Sequence, residues 1–117
     1  MKTDISDANA AETDATLPTN TIFELLLDDQ RRYALYYLSR KVGAVSVEEL
    51  VDRIAHREGN PTSERLEQIA VEFHHNHLWK LVDSKVLRYD ADAGTLERRA
   101  AARSLDPYLE LAFVAEL

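Results

Sequence analysis

Between Thr62 and Asp83 the apolar side chains return every three or four residues, and no other stretch of the chain repeats for so long. In an α-helix each residue advances about 100°. Leu66, Ile69, Ala70, Phe73, His77 and Leu81 therefore gather on one side, with His74, Leu78 and Val82 along a flank. The opposite side collects Arg65, Gln68, Glu72, His75, Asn76 and Trp79. A chain of 117 residues forms one domain with a modest core, so the remaining segments are read around this helix.

Three helices precede it. Ile22, Phe23, Leu25, Leu26 and Leu27 mark a short apolar one, and Asp28 is placed to cap the next, over Asp29 to Val42. There Ala34, Leu35, Leu38 and Val42 share a face, Tyr33, Tyr36 and Tyr37 flank it, and Gly43 closes it. Ser46 and Glu49 form a capping box ahead of a third helix whose apolar face is Val47, Leu50, Val51, Ile54 and Ala55. The long helix follows after EGNPTS, with Pro61 near its start. Beyond it, VLRYD (86–90) and TLERR (95–99) read as two strands joined by the turn ADAG. Asp106 and Pro107 open a last helix, DPYLELAFVAEL. The expected fold is mainly α with one small β-hairpin and an extra C-terminal helix, over residues 21–117. Residues 1–20 are polar, acidic and without periodicity, and read as a disordered tail.

Three of the four histidines lie at 74, 75 and 77. Adjacent helical residues do not face each other, so the three diverge. His74 and His77 are three apart and are the pair that could share a metal ion, but nothing completes a ligand shell. His77, on the apolar side, reads first as a buried, hydrogen-bonded histidine. A catalytic histidine needs a nucleophile and an orienting partner, and the chain offers neither, nor a glycine-rich phosphate loop. An enzyme, a cofactor and a metal site are not expected. What remains is the outward stripe of arginine, glutamine, histidine, asparagine and tryptophan. Such side chains bond base edges or phosphates, and an outward indole marks a contact surface.

Charge bears on the choice of partner. Acidic residues number 21 against 14 basic ones, a net charge of -7, which repels polyanions at low salt. At molar salt the Debye length falls to about 3 Å and distant carboxylates hardly act. An acidic chain with four lysines against ten arginines suggests a salt-loving cell. From Lys80 to Arg103 the balance reverses, with Lys80, Lys85, Arg88, Arg98, Arg99 and Arg103 against four acids. A hairpin there would set arginines over phosphates. No apolar run reaches the ~18 to 20 residues that cross a bilayer, the first 20 residues lack an apolar stretch, and there is no cysteine, so a cytoplasmic protein without a membrane partner is expected.

The stretches LLLDDQRRYALYYL (25–38), SVEELVDRIA (46–55), HHNHLWKLVDSKVLRYD (74–90) and LDPYLELA (105–112) resemble the small winged-helix domains of haloarchaea, presumed transcriptional regulators. More loosely, HLWKLVDSKVLRYD is similar to the helix-to-wing passage of the arsenical-repressor-like and MarR-like families. The resemblance covers about residues 21–112 and implies a winged helix-turn-helix, a homodimer and operator DNA held in the major groove. On that match His74, His75, Asn76 and Lys80 fall where bases and phosphates are touched, and Arg88 and Arg98 fall on the wing. The position of Trp79 is more often proline in the haloarchaeal domains.

Together these readings predict a dimeric DNA-binding transcriptional regulator. Its contacts are expected at Arg65, Gln68, His75, Asn76, Lys80, Arg88, Arg98 and Arg99. The last helix is apolar nearly all round, more than one buried stripe needs. It is therefore expected to dimerise through Tyr108, Leu109, Leu111, Phe113, Val114 and Leu117, with Tyr36 and Tyr37. Two readings stay open beside this one: a winged helix that binds a protein partner, favoured by Glu72, Trp79 and the acidic balance, and a metal-responsive repressor using His74 and His77.

Overall fold

The computed structural model describes residues 16–114; the tail residues 1–15 and the last three, Leu117 among them, lie outside the described residues. The first helix, α1 (Thr19–Leu27), runs into α2 (Asp29–Ser39) through Asp28 alone. Asp28 is extended, and its carboxylate accepts from the Arg31 backbone N–H at 2.9 Å, the expected N-cap. The chain then takes two consecutive arginines back to the end of α1. Arg31 donates to the carbonyls of Glu24 and Leu25, and Arg32 to those of Leu26 and Leu27. A helix leaves its last four carbonyls without intrahelical partners, and here one pair of side chains satisfies all four. Leu17 and Pro18, inside the stretch read as tail, lead directly into α1; Leu17 packs against the core and its N–H donates to Ser104 Oγ.

Helix α2 stops at Ser39, earlier than its apolar spacing predicts. Val42 is fully exposed, not on a buried face, and Gly43 follows at φ +82° in the connection beyond the helix end. The cause is a strand too short to announce itself in the sequence. Val45–Ser46 (β1) pairs antiparallel with Leu96 and Thr95, and Val45 is buried by that pairing. Long-range pairing thus overrides another helical turn. Ser46 then caps α3 (Val47–Glu58) by accepting from the Glu49 N–H at 2.9 Å. All five residues expected on the inner face of α3 are buried. Gly59, at φ +83°, ends it in the left-handed conformation that glycine adopts without a Cβ penalty.

The long helix is continuous from Ser63 to Asp83 but not uniform. It comprises α4 (Ser63–Glu72), one wide π turn (Phe73–His77) and α5 (Leu78–Asp83), with Thr62 as N-cap. In the wide turn the Leu78 N–H reaches back to the Phe73 carbonyl. Ile69, Phe73, His77 and Leu81 are buried at a strict spacing of four, which drifts around a regular 3.6-residue helix. The local unwinding absorbs that drift.

The hairpin pairs β2 (Leu87–Asp90) with β3 (Thr95–Arg98), and the sheet order is β1-β3-β2. Asp90 Oδ1 accepts from the N–H groups of Asp92 and Ala93, which folds the turn expected at ADAG. Side chains alternate across a strand. The register places Leu87 opposite Arg98 and Tyr89 opposite Leu96 on the inner side, and Arg88 opposite Glu97 on the outer side. A 3-10 helix (Ala100–Leu105), absent from the sequence expectation because AAARSL carries no apolar period, leads into α6 (Asp106–Ala112). Leu35, Leu50, Ile54, Ile69, Phe73, Leu81, Leu96 and Leu105 meet in one core. The architecture is mainly helical with a small three-stranded antiparallel sheet.

Candidate nucleic-acid interface

The outward stripe of the long helix faces solvent as its periodicity predicts. Gln68, Glu72, His75, Asn76 and Trp79 are exposed, Trp79 to 59%, and Arg65 is half-buried. The expected contact residues are not bare cations, however. Arg65 Nε donates to Glu58 Oε1 at 2.9 Å and its Nη1 to Gln68 at 3.2 Å. Bonds from Arg65 and Gln30 hold the Glu58 carboxyl below its ordinary range, against a smaller opposing effect of burial. Asn76 Nδ2 donates to Glu72, Lys80 Nζ lies 3.4 Å from Glu24, and Arg88 Nη1 lies 3.7 Å from Glu97. Exposed ion pairs contribute roughly 0 to 1 kcal/mol, so another anion exchanges with these carboxylates at small cost.

The hairpin arginines divide by register. Arg88 stands on the outer side and is open to solvent. Arg98 stands on the inner side, where its Nη2 donates to both oxygens of Asp106, at 3.0 and 3.2 Å. That bond ties β3 to the first turn of α6, so the structure gives Arg98 a bracing role inside the subunit, not the outward position expected of it. Arg99 is half-buried, and its N–H donates to the Val86 carbonyl at 2.9 Å. Beside the stripe, α3, α4 and the hairpin turn enclose an open groove of about 950 Å³. Its floor includes Val47, Val51, Leu66, Ala70 and Tyr89, and its rim carries Glu48, Glu49, Asp52 and Glu67.

The two histidines three apart do not converge. His74 is exposed and sets its ring edge against Tyr89, with centroids 6.3 Å apart. His77 is sealed within the protein between Arg31 and Asp28. Its Nδ1 lies 3.2 Å from Arg31 Nη1, which can only donate, so Nδ1 accepts and the proton sits on Nε2. Nε2 faces Asp28 Oδ1 at 3.5 Å. Burial pushes the imidazole pKa below its usual value, opposed by Asp28 and reinforced by Arg31. His77 is thus the buried, hydrogen-bonded histidine of the first reading, and it couples the π turn to α2. Among the described residues no three histidine, cysteine or carboxylate side chains gather as a metal site.

The dimer residues also divide. Tyr36, Leu109 and Phe113, expected at a subunit interface, are instead buried in the subunit's own core, where the Tyr36 and Phe113 rings stack with centroids 4.4 Å apart. Tyr37 is half-buried and bonds Glu49 through its hydroxyl. Tyr108, Leu111 and Val114 stay outside. Phe23 and Leu27 of α1 are exposed too, and the Phe23 ring meets Tyr108 edge-on. Sequence periodicity missed these two because α1 reads as a core helix.

One family model, described as a domain of unknown function, DUF7344, matches residues 23–97, from α1 to β3. The chain belongs to this family. No curated protein and no solved structure matches it. The DUF7344 match spans both sides of the candidate interface, the outward stripe and the hairpin, and leaves α6 beyond its end. Among the described residues of this DUF7344 chain, no helix is long and apolar enough to cross a membrane.

Proposed function

We propose that this chain is a winged helix-turn-helix protein that binds duplex DNA as a homodimer and regulates transcription, kin to the small haloarchaeal winged-helix regulators. The order of helix α2, strand β1, helix α3, the long helix and a two-stranded wing supports this reading. The observation that carries it is the exposure of Gln68, His75, Asn76 and Trp79 along one helix face with Arg88 open on the adjoining wing. Asparagine and glutamine bond adenine edges, and arginine and lysine bond phosphates or guanine. Glu72, Glu24 and Glu97 hold Asn76, Lys80 and Arg88 in place until bases and phosphates replace them. At molar salt the remaining carboxylates act only at short range. The outward residues of α1 and α6 serve the second copy, and the protein works in the cytoplasm without an enzymatic step.

Gel retardation with fragments of the host genome at molar KCl tests this reading. A retarded band that specific competitor removes supports it, and free DNA at every concentration rejects it. The second reading, a protein-binding winged helix, is favoured by the carboxylate-rimmed groove and the exposed Val71 and Trp79. It predicts no retarded band and a partner that shifts Trp79 fluorescence.

A further inference from the structure

A second surface is more cationic than the outward stripe and shares no residue with it. In α3, Glu49, Arg53 and Arg57 follow at spacings of four and so line one edge. That edge faces the tyrosines of α2. Arg57 lies over the Tyr33 ring at 4.7 Å and over Phe113 at 5.0 Å, and Arg53 over Tyr37 at 5.9 Å. From the end of α2, Lys41 covers Tyr37 at 5.0 Å and Arg40 covers Tyr36 at 5.8 Å. All four cations are exposed, while Tyr33 and Tyr36 are buried beneath them. Inside the cluster lies Glu49, bonded by the Tyr37 hydroxyl and 3.4 Å from Lys41. Glu110 and Asp106 line the small cleft beside Arg40, and Asp106 is taken by Arg98. In a chain of net charge -7 this concentration departs from the rest of the surface.

We infer that this arginine–tyrosine face is a second contact for the phosphate backbone of nucleic acid. A guanidinium laid on a ring keeps its planar fork of N–H donors directed sideways, the geometry that phosphate oxygens take. The ring also fixes the side chain beforehand, so less conformational entropy is lost on contact. With its rings covered, the face offers charge without an apolar socket. A protein partner would need buried anchor residues, whereas a polyanion is held by charge alone. A protein carrying both this face and the outward stripe meets DNA in two places, one reading bases and one gripping the backbone.

The test is fluorescence anisotropy of labelled duplex, of preferred and of scrambled sequence, across a salt series, with the full chain. Arg40→Ala with Arg53→Ala removes two exposed cations and leaves the core intact, as a thermal melt verifies. At about 0.9 per phosphate contact, the slope of log affinity against log salt is expected to fall by about 1.8, equally on both sequences. Asn76→Ala, in contrast, is expected to spare the slope and lower the sequence preference. If Asn76→Ala has no effect while the arginine pair still lowers the slope, the helix reading fails and this one stands. An unchanged slope and affinity in the arginine pair overturn it. Polyglutamate that competes as well as duplex also overturns it, because the face then fits an acidic protein.

Discussion

Arg31 donates to His77 Nδ1 at 3.2 Å, and both side chains are nearly sealed from solvent, at 5% and 2% exposure. The same guanidinium closes two carbonyls at the end of α1. One residue therefore joins α1, α2 and the π turn. Arg31→Ala is expected to cost on the order of 3 kcal/mol, because it orphans several buried polar groups at about 1 to 3 kcal/mol each, partly offset by relaxation and water entry. Arg31→Lys recovers little, since one ammonium cannot reproduce the fork. Urea unfolding of the three proteins checks this, and equal midpoints for all three would reject the joint.

The same contact sets a pH dependence. His77 is neutral in the folded chain and its pKa there lies below the unfolded value of about 6.5. Stability from this group is complete above that unfolded value and is lost as pH falls through the folded one. Urea midpoints measured downward from neutral pH should decline in this window. His77→Gln, which keeps an acceptor for Arg31 and cannot titrate, should flatten that part of the profile.

For DNA recognition the expectations differ by residue. Asn76→Ala should remove about 1 to 3 kcal/mol of discrimination against the wrong base. Arg88→Ala should weaken all sequences alike and lower the salt slope by about 0.9. Arg98→Ala should act mainly on stability, since its partner is Asp106 on α6. A binding loss in Arg98→Ala without any loss of stability would contradict the bracing role.

Dimerisation should depend on the outer residues of α1 and α6. Leu111 is 76% exposed and Leu27 80%. Leu111→Glu or Leu27→Glu should halve the mass in sedimentation without lowering the melting temperature of the subunit. Phe113→Glu should unfold the chain, because that ring is stacked on Tyr36 in the core.

The elements with long repeats were legible in the sequence: the inner face of α3, the two sides of the long helix and the Asp28, Ser46 and Pro107 signals for helix starts. What escaped was set by contacts distant in sequence. Strand β1 exists through Leu96, fifty-one positions beyond Val45 in chain order. The inward turn of Arg98 follows from its register opposite Leu87. The cations over the tyrosines depend on α2 and α3 packing side by side. Periodicity assigns a residue to a face, but only the neighbouring element decides whether that face ends in solvent, in a carboxylate or on a ring.

The wide turn at Phe73–His77 also bears on how such a chain can change over generations. Losing a single residue there would let an uninterrupted α-helix form, and because four residues of α-helix turn through nearly the same angle as these five, everything downstream would keep its direction. Trp79 and Lys80 would stay on their side of the helix, and the hairpin would be launched in the same direction. The wide turn is therefore the place where this helix can lose a residue without cost to its direction, whereas a deletion in the regular turns on either side would rotate one half of the surface against the other by about 100°.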